Sequence, residues 1–158
     1  VLPRPMRGRE GCDFSFSGLK TKVRQTIEGL PPGPLQKNDI ADLCASFQRA
    51  AGDVLEDRCA NAIRFFRECY PRSGALVVAG GVAANENLRG RLLALAGKFD
   101  LPFHAPPATL CTDNGAMVAW AGLEQLRFRG PDPLDFKPRP RWPLDPEAPP
   151  VAFAGAKA

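Results

Sequence analysis

The chain has 158 residues, 44% of them hydrophobic and 24% charged, which is enough apolar material for one packed domain or one lobe of a larger protein. Its net charge of +4 is mildly basic, permitting contact with nucleic acid without demanding it. No apolar run reaches the 18 or so residues a membrane span needs, and five scattered cysteines without a CxxC pair argue against a disulfide framework or a Cys-rich zinc site. The single histidine, His104, excludes a self-contained two-histidine metal site. Such cysteine usage reads as a reducing, cytoplasmic setting. The opening Val1 reads as a processed start or as a piece of a longer chain.

Residues 1–12 carry Pro, Arg and Gly without periodicity and read as a loop or linker. Residues 13–19 alternate Phe14 and Phe16 with small polar residues, predicting a short half-buried strand turned by Gly18. Leu19, Val23 and Ile27 are four apart, predicting a helix over 19–29 that Gly29 stops. After the loop PPGP at 31–34, apolar residues from Ile40 to Phe66 recur at steps of three and four. A long helix from about 39 to 69 follows, capped by Asn38 or Asp39 and ended before Pro71, with Gly52 as a weak point or a close helix contact.

The pattern then changes. Ala75–Ala79 is a continuous apolar run between glycines, as in a buried parallel strand. Gly80-Gly81 turns the chain, Asn85 or Asn87 caps a helix that Gly97 ends, and Leu101–His104 is a second strand. Thr112 or Asp113 caps a last helix with Met117, Trp120, Ala121 and Leu123 facing inward. Residues 131–150 hold eight prolines and read as an extended arm. The domain reading is an α/β lobe over 1–130 and a Pro-rich tail over 131–158, with a central sheet flanked by helices.

Two places could carry chemistry. Gly80-Gly81 follows a strand and precedes a helix, so backbone N–H groups can approach a phosphate closely; an ordinary tight strand–helix turn explains the same glycines. Asp113 in Cys111-Thr112-Asp113-Asn114 is either an N-cap or a carboxylate metal ligand. Both follow the carboxyl ends of predicted strands, where open α/β sheets place ligands. Ser15, Ser17 and Lys20 have SxxK-like spacing without companion motifs, so Ser17 is read as a helix cap. His104 is read as a strand-end residue, and Arg127, Arg129, Lys137, Arg139 and Arg141 form a basic segment able to meet phosphates.

Four segments in order, D13-F-S-F-S-G-L-K-T21, D39-I-A-D-L-C-A-S-F-Q48, V77-V-A-G-G-V-A-A-N85-E-N-L-R89 and L110-C-T-D-N-G-A-M117, resemble the TsaD/Gcp family, formerly labelled glycoprotease. The likeness covers nearly all of this chain and about the second half of such a protein. It implies one lobe of the actin/hexokinase/Hsp70-like (ASKHA) fold. The implied activity is transfer of a threonylcarbamoyl group from threonylcarbamoyl-adenylate to the adenosine next to the anticodon of tRNA. TsaB-like and TsaE-like proteins are the implied partners, and one iron or zinc ion the implied metal.

On this resemblance Asn85 contacts the substrate nucleotide (ATP, AMP or the adenylate), Gly80 and Gly81 approach its phosphate, Ser17 lines the nucleotide side, and Asp113 ligates the metal. The family's two metal-binding histidines have no counterpart here, so the fragment is expected to be inactive alone and to pair across an exposed face. No protein nucleophile is implied. Competing readings are a metal-dependent glycopeptidase, an actin-like ATPase or sugar kinase, and a lobe that only binds partners.

Overall fold

A computed structural model describes residues 1–71 and 74–137. The chain divides into two compact units, Val1–Gly115 and Ala116–Ala158. In the first, helix α1 spans Leu19–Glu28 and helix α2 spans Lys37–Cys69. Strand β1 (Leu76–Val77) is followed by the one-turn helix α3 (Gly80–Ala84), helix α4 (Glu86–Lys98) and strand β2 (Phe103–His104). A 3-10 turn at Ala108–Leu110 precedes helix α5, Gly115–Arg129.

The sheet is the parallel pair β1–β2, with Leu76 opposite Phe103 and Val77 opposite His104. Val78 N–H donates to the His104 carbonyl at 2.9 Å, extending the ladder. Parallel strands need a crossover, and α3–α4 supplies it. The mixture of helices with a small parallel sheet is consistent with one lobe of the expected fold. The run 75–79 is a strand at only two positions, and its burial is one-sided: Val78 is buried whereas Val77 is 67% exposed.

The main core joins Ile63 of α2, Val78, Ala83, Leu92, Leu95 and Cys111. Burying each large aliphatic side chain there contributes roughly 1.5–3 kcal/mol. A second cluster joins Leu2, Leu19 and Ala50. Helix α2 serves both, which explains why its apolar stripe runs so long.

Helix α2 starts with Gln36 as N-cap, not Asn38 or Asp39. Asp39 sits at the third helical position and its carboxylate accepts from Gln36 N–H at 3.3 Å, closing a capping box. Gly29 ends α1 as expected, its N–H donating to the Gln25 carbonyl. Gly18, at φ 80°, is the N-cap of α1 without a side-chain bond, so Ser17 does not cap it. Residues 13–16 form no strand; Phe14 and Phe16 are 48% and 44% exposed. Alternation alone cannot make a strand without a neighbour to share its ladder, and none lies beside this segment among the described residues.

Helix α4 runs past Gly97 to Lys98. Its end is closed by Leu101 N–H on the Ala96 carbonyl at 3.0 Å, with Asp100 at φ 50° in the left-handed region. Within the second unit no α5 residue is buried: Met117, Trp120 and Leu123 are 51%, 67% and 56% exposed, and Ala121 is also exposed. The inward face expected of them is absent because α5 is apolar on nearly all sides, leaving no single stripe to define a core face. Residues 138–158, with most of the Pro-rich arm and with Arg139 and Arg141, lie outside the described residues.

The N-terminal segment, expected as a loop or linker, is irregular over residues 1–12 and is pinned to α2. Arg58 is fully buried and its guanidinium donates to the carbonyls of Arg9 (2.7 Å) and Gly11 (3.0 Å) and to Asp57. Asn61 Nδ2 donates to the same two carbonyls, and Gly8 N–H donates to the Asp57 carboxylate at 3.0 Å. Farther along, Arg4 Nε meets Asp53 Oδ2 at 2.9 Å.

Candidate functional site

Because β1 and β2 are parallel, the Gly80-Gly81 turn and the loop ending at Asp113 leave the same, carboxyl end of the sheet. Helix α3 and the 3-10 turn pack together there, and Cys111 is buried against Val78 and Ala83. Gly80 has φ 67°, which favours glycine, and a Cβ at Gly80 or Gly81 would meet nothing within 4 Å. The backbone of this turn is therefore open to approach. The expected help from a helix dipole is weak: α3 has five residues and stops at Asn85. The start of the longer α4 already carries Glu86 in its first turn.

Asn85 is the N-cap of α4. Its Oδ1 accepts from Leu88 N–H at 3.0 Å, and its Nδ2 donates to Gln48 Oε1 of α2 at 3.1 Å. It lies on the rim of a cleft of about 580 Å³ between α1, α2 and α4. Val23, Leu43, Phe47, Ala51 and Leu88 make the walls apolar; Lys20, Gln48 and Asn85 supply polar atoms. Such a lining suits a flat, partly apolar ligand fixed by a few polar contacts.

Of the residues expected at the site, Asn85 alone lines this cleft. Ser17 is exposed outside it, its N–H donating to Ser15 Oγ at 3.2 Å. Asp113 is exposed, and no group of three or more His, Cys, Asp or Glu is gathered for a metal among the described residues. One exposed carboxylate does not make a metal centre, so the described residues do not fit a complete site. His104 ends β2 and is exposed. Arg127 pairs with Glu124 at 2.9 Å. All five cysteines are free thiols. No helix among the described residues is long and apolar enough to cross a membrane.

A charged cluster joins α2 to α4. Arg91 Nη2 meets Asp53 Oδ1 at 2.6 Å and Glu56 Oε2 at 2.8 Å, while Lys98 Nζ meets Glu56 Oε1 at 3.1 Å. Hydrogen bonds from Arg91, opposed by partial burial, hold the Glu56 carboxyl below its ordinary range. For Asp53, burial pushes upward, but Arg91 and Arg4 outweigh it and the net direction is down. Asp57 is likewise lowered: burial is outweighed by its bonds to Arg58 and to the Gly8 N–H. Neither this cluster nor Gln48 stands out as a site in the sequence. The one visible signal was Asp53, Glu56 and Asp57 spaced three and four apart on one helix face.

The arrangement defines a class: an α/β lobe whose Gly80-Gly81 turn and Asp113 loop leave the carboxyl end of a parallel pair, beside an apolar cleft lined by α1, α2 and α4. A family model described as TsaD, tRNA N6-adenosine threonylcarbamoyltransferase, matches residues 1–120, and the chain belongs to that family. A protein of Rhodospirillum rubrum named tRNA N6-adenosine threonylcarbamoyltransferase is 62% identical over 154 residues, covering 98% of this chain and 42% of its own length. Proteins of the same name from Paramagnetospirillum magneticum and Brucella anthropi are 54% and 51% identical, and each is covered over 44% of its length. The chain thus spans less than half the length of these curated relatives.

Proposed function

We propose that this chain forms one lobe of a tRNA N6-adenosine threonylcarbamoyltransferase and holds the nucleotide part of a threonylcarbamoyl-adenylate. The observation that carries the reading is the Asn85 amide, fixed at the head of α4 on the rim of an apolar cleft. One lone pair of Oδ1 and one N–H of Nδ2 remain for a ligand after the two internal bonds are made. Gly80 and Gly81, whose backbone is open, receive the phosphate.

In the reaction, N6 of the tRNA adenosine attacks the carbamoyl carbonyl carbon. The bond from that carbon to the phosphate oxygen breaks, AMP leaves and N6 loses a proton. The chain's residues bind and orient; none acts as a nucleophile, in keeping with free, scattered thiols. Asp113 contributes at most one ligand to an iron or zinc ion whose other ligands come from outside this chain, and no step here is routed through that ion. tRNA, TsaB-like and TsaE-like partners, a cytoplasmic setting and self-association through exposed apolar surface belong to the same proposal. The exposed Val118, Trp120 and Phe128 of α5 support the last.

The test is calorimetric titration of the chain with AMP. Binding that Asn85→Ala abolishes, in a folded variant, supports the reading. Binding unchanged by that substitution refutes it.

A further inference from the structure

Gln48 closes the second of the four segments by which the chain resembles its family, and the reading above gives it no role. We infer that Gln48 is a positioning residue for Asn85, fixing the plane of its side-chain amide at the cleft; the inference rests on Asn85 being the ligand contact.

Leu88 N–H is a backbone donor, so the Asn85 atom it meets at 3.0 Å must be the oxygen. The other end of the Asn85 amide is then NH₂, and it can only donate, so the Gln48 atom at 3.1 Å must be its oxygen. That leaves the Gln48 NH₂ directed away from Asn85, with no hydrogen bond to the described residues, on a residue that lines the cleft. A single main-chain donor in α4 thus orients two amides in series.

Two consequences follow. Without Gln48, the Asn85 amide keeps its cap to Leu88 but loses the bond that fixes its plane about that contact. With Gln48, that plane is fixed and the second Asn85 N–H is held in one direction at the cleft. Gln48 sits on α2 and Asn85 at the start of α4, so the relay forms only when the two helices are seated together.

The experiment uses adenosine, a neutral probe, with Gln48→Leu and Gln48→Glu. Leucine removes both amide functions. Glutamate keeps the acceptor for Asn85 but has no N–H. We expect Gln48→Leu to lose about tenfold in adenosine affinity with an unchanged melting temperature, and Gln48→Glu to stay within about threefold. In parallel, the Asn85 side-chain amide protons, followed by NMR, are protected from exchange in the parent and in Gln48→Glu and released in Gln48→Leu. Unchanged amide protons in Gln48→Leu overturn the inference. So does an equal loss of affinity in both variants with the Asn85 signals in place, since Gln48 then meets the ligand itself. If the parent binds no adenosine, the functional reading fails, and the amide signals alone decide whether Gln48 orients Asn85.

Discussion

Gly52 sits where α2 meets α4, and its replacement by alanine sets two effects of known sign against each other. In a helix interior alanine is favoured over glycine by about 1 kcal/mol. Here, however, the new Cβ would lie 2.6 Å from Arg91 Nη1, 2.9 Å from Cζ and 3.0 Å from Cδ. The guanidinium must retreat by about 0.8 Å to reach ordinary contact at 3.4 Å. It is not free to do so. It is held by Asp53 at 2.6 Å and Glu56 at 2.8 Å, and the three side chains are only 17–29% exposed. Charge-assisted bonds of this kind contribute about 1.5–3 kcal/mol each, so weakening two of them outweighs the propensity gain. We expect Gly52→Ala to destabilise the chain by about 1–2 kcal/mol, read as a lower urea midpoint at constant m. In an Arg91→Ala background the obstacle is gone, and the same substitution should stabilise by about 1 kcal/mol. Gly97→Ala, also in a helix and with nothing within 4 Å of its Cβ, is the control and should stabilise in either background. Stabilisation by Gly52→Ala in the parent, equal to that in the Arg91→Ala background, would refute the reasoning.

Three further outcomes are expected. Asp53, Glu56 and Asp57 are held below their ordinary values of 3.8, 4.5 and 3.8, so their contribution to stability is complete above those values and is lost as pH falls through the lower folded ones. Melting temperature should therefore be insensitive to these groups above about pH 5 and fall below it, with a shallower fall in Glu56→Gln. Arg58→Ala removes the buried fork that holds the Arg9 and Gly11 carbonyls and should cost about 3 kcal/mol, with residues 1–12 becoming the first site of limited proteolysis. Asn85→Ala loses the α4 cap and should cost about 1 kcal/mol, whereas Asn85→Asp keeps the capping oxygen and should match the parent in urea while losing AMP binding.

Much of the helical framework is legible in the residues themselves. The steps of three and four from Ile40 to Phe66, the Gly29 stop and the Asn85 cap depend on local chemistry, which a sequence displays. Strands at 75–79 and 101–104 are legible as apolar runs, and with α3 and α4 between them as the crossover few topologies remain besides the parallel pair. What is not legible depends on neighbours far along the chain. Phe14 and Phe16 alternate like a strand, yet no partner strand lies beside them among the described residues. The pinning of residues 9–11 by Arg58 spans nearly fifty positions, and nothing local marks Arg58 as buried. Asn85 is legible as a helix cap, but its second bond, to Gln48, reaches 37 positions back along the chain.

Helix α2, at 33 residues, is about 50 Å long and carries all these attachments on one rod. Gln48 faces the cleft, Asp53 and Glu56 grip Arg91, Arg58 and Asn61 hold the N-terminal segment, and Arg67 holds the Asp100 carbonyl at 3.3 Å. The hold on the N-terminal segment, the Arg91 bridge to α4 and the bond to Asn85 therefore share one unbroken run of helical backbone, with Gln48 and Asn61 about 20 Å apart along it.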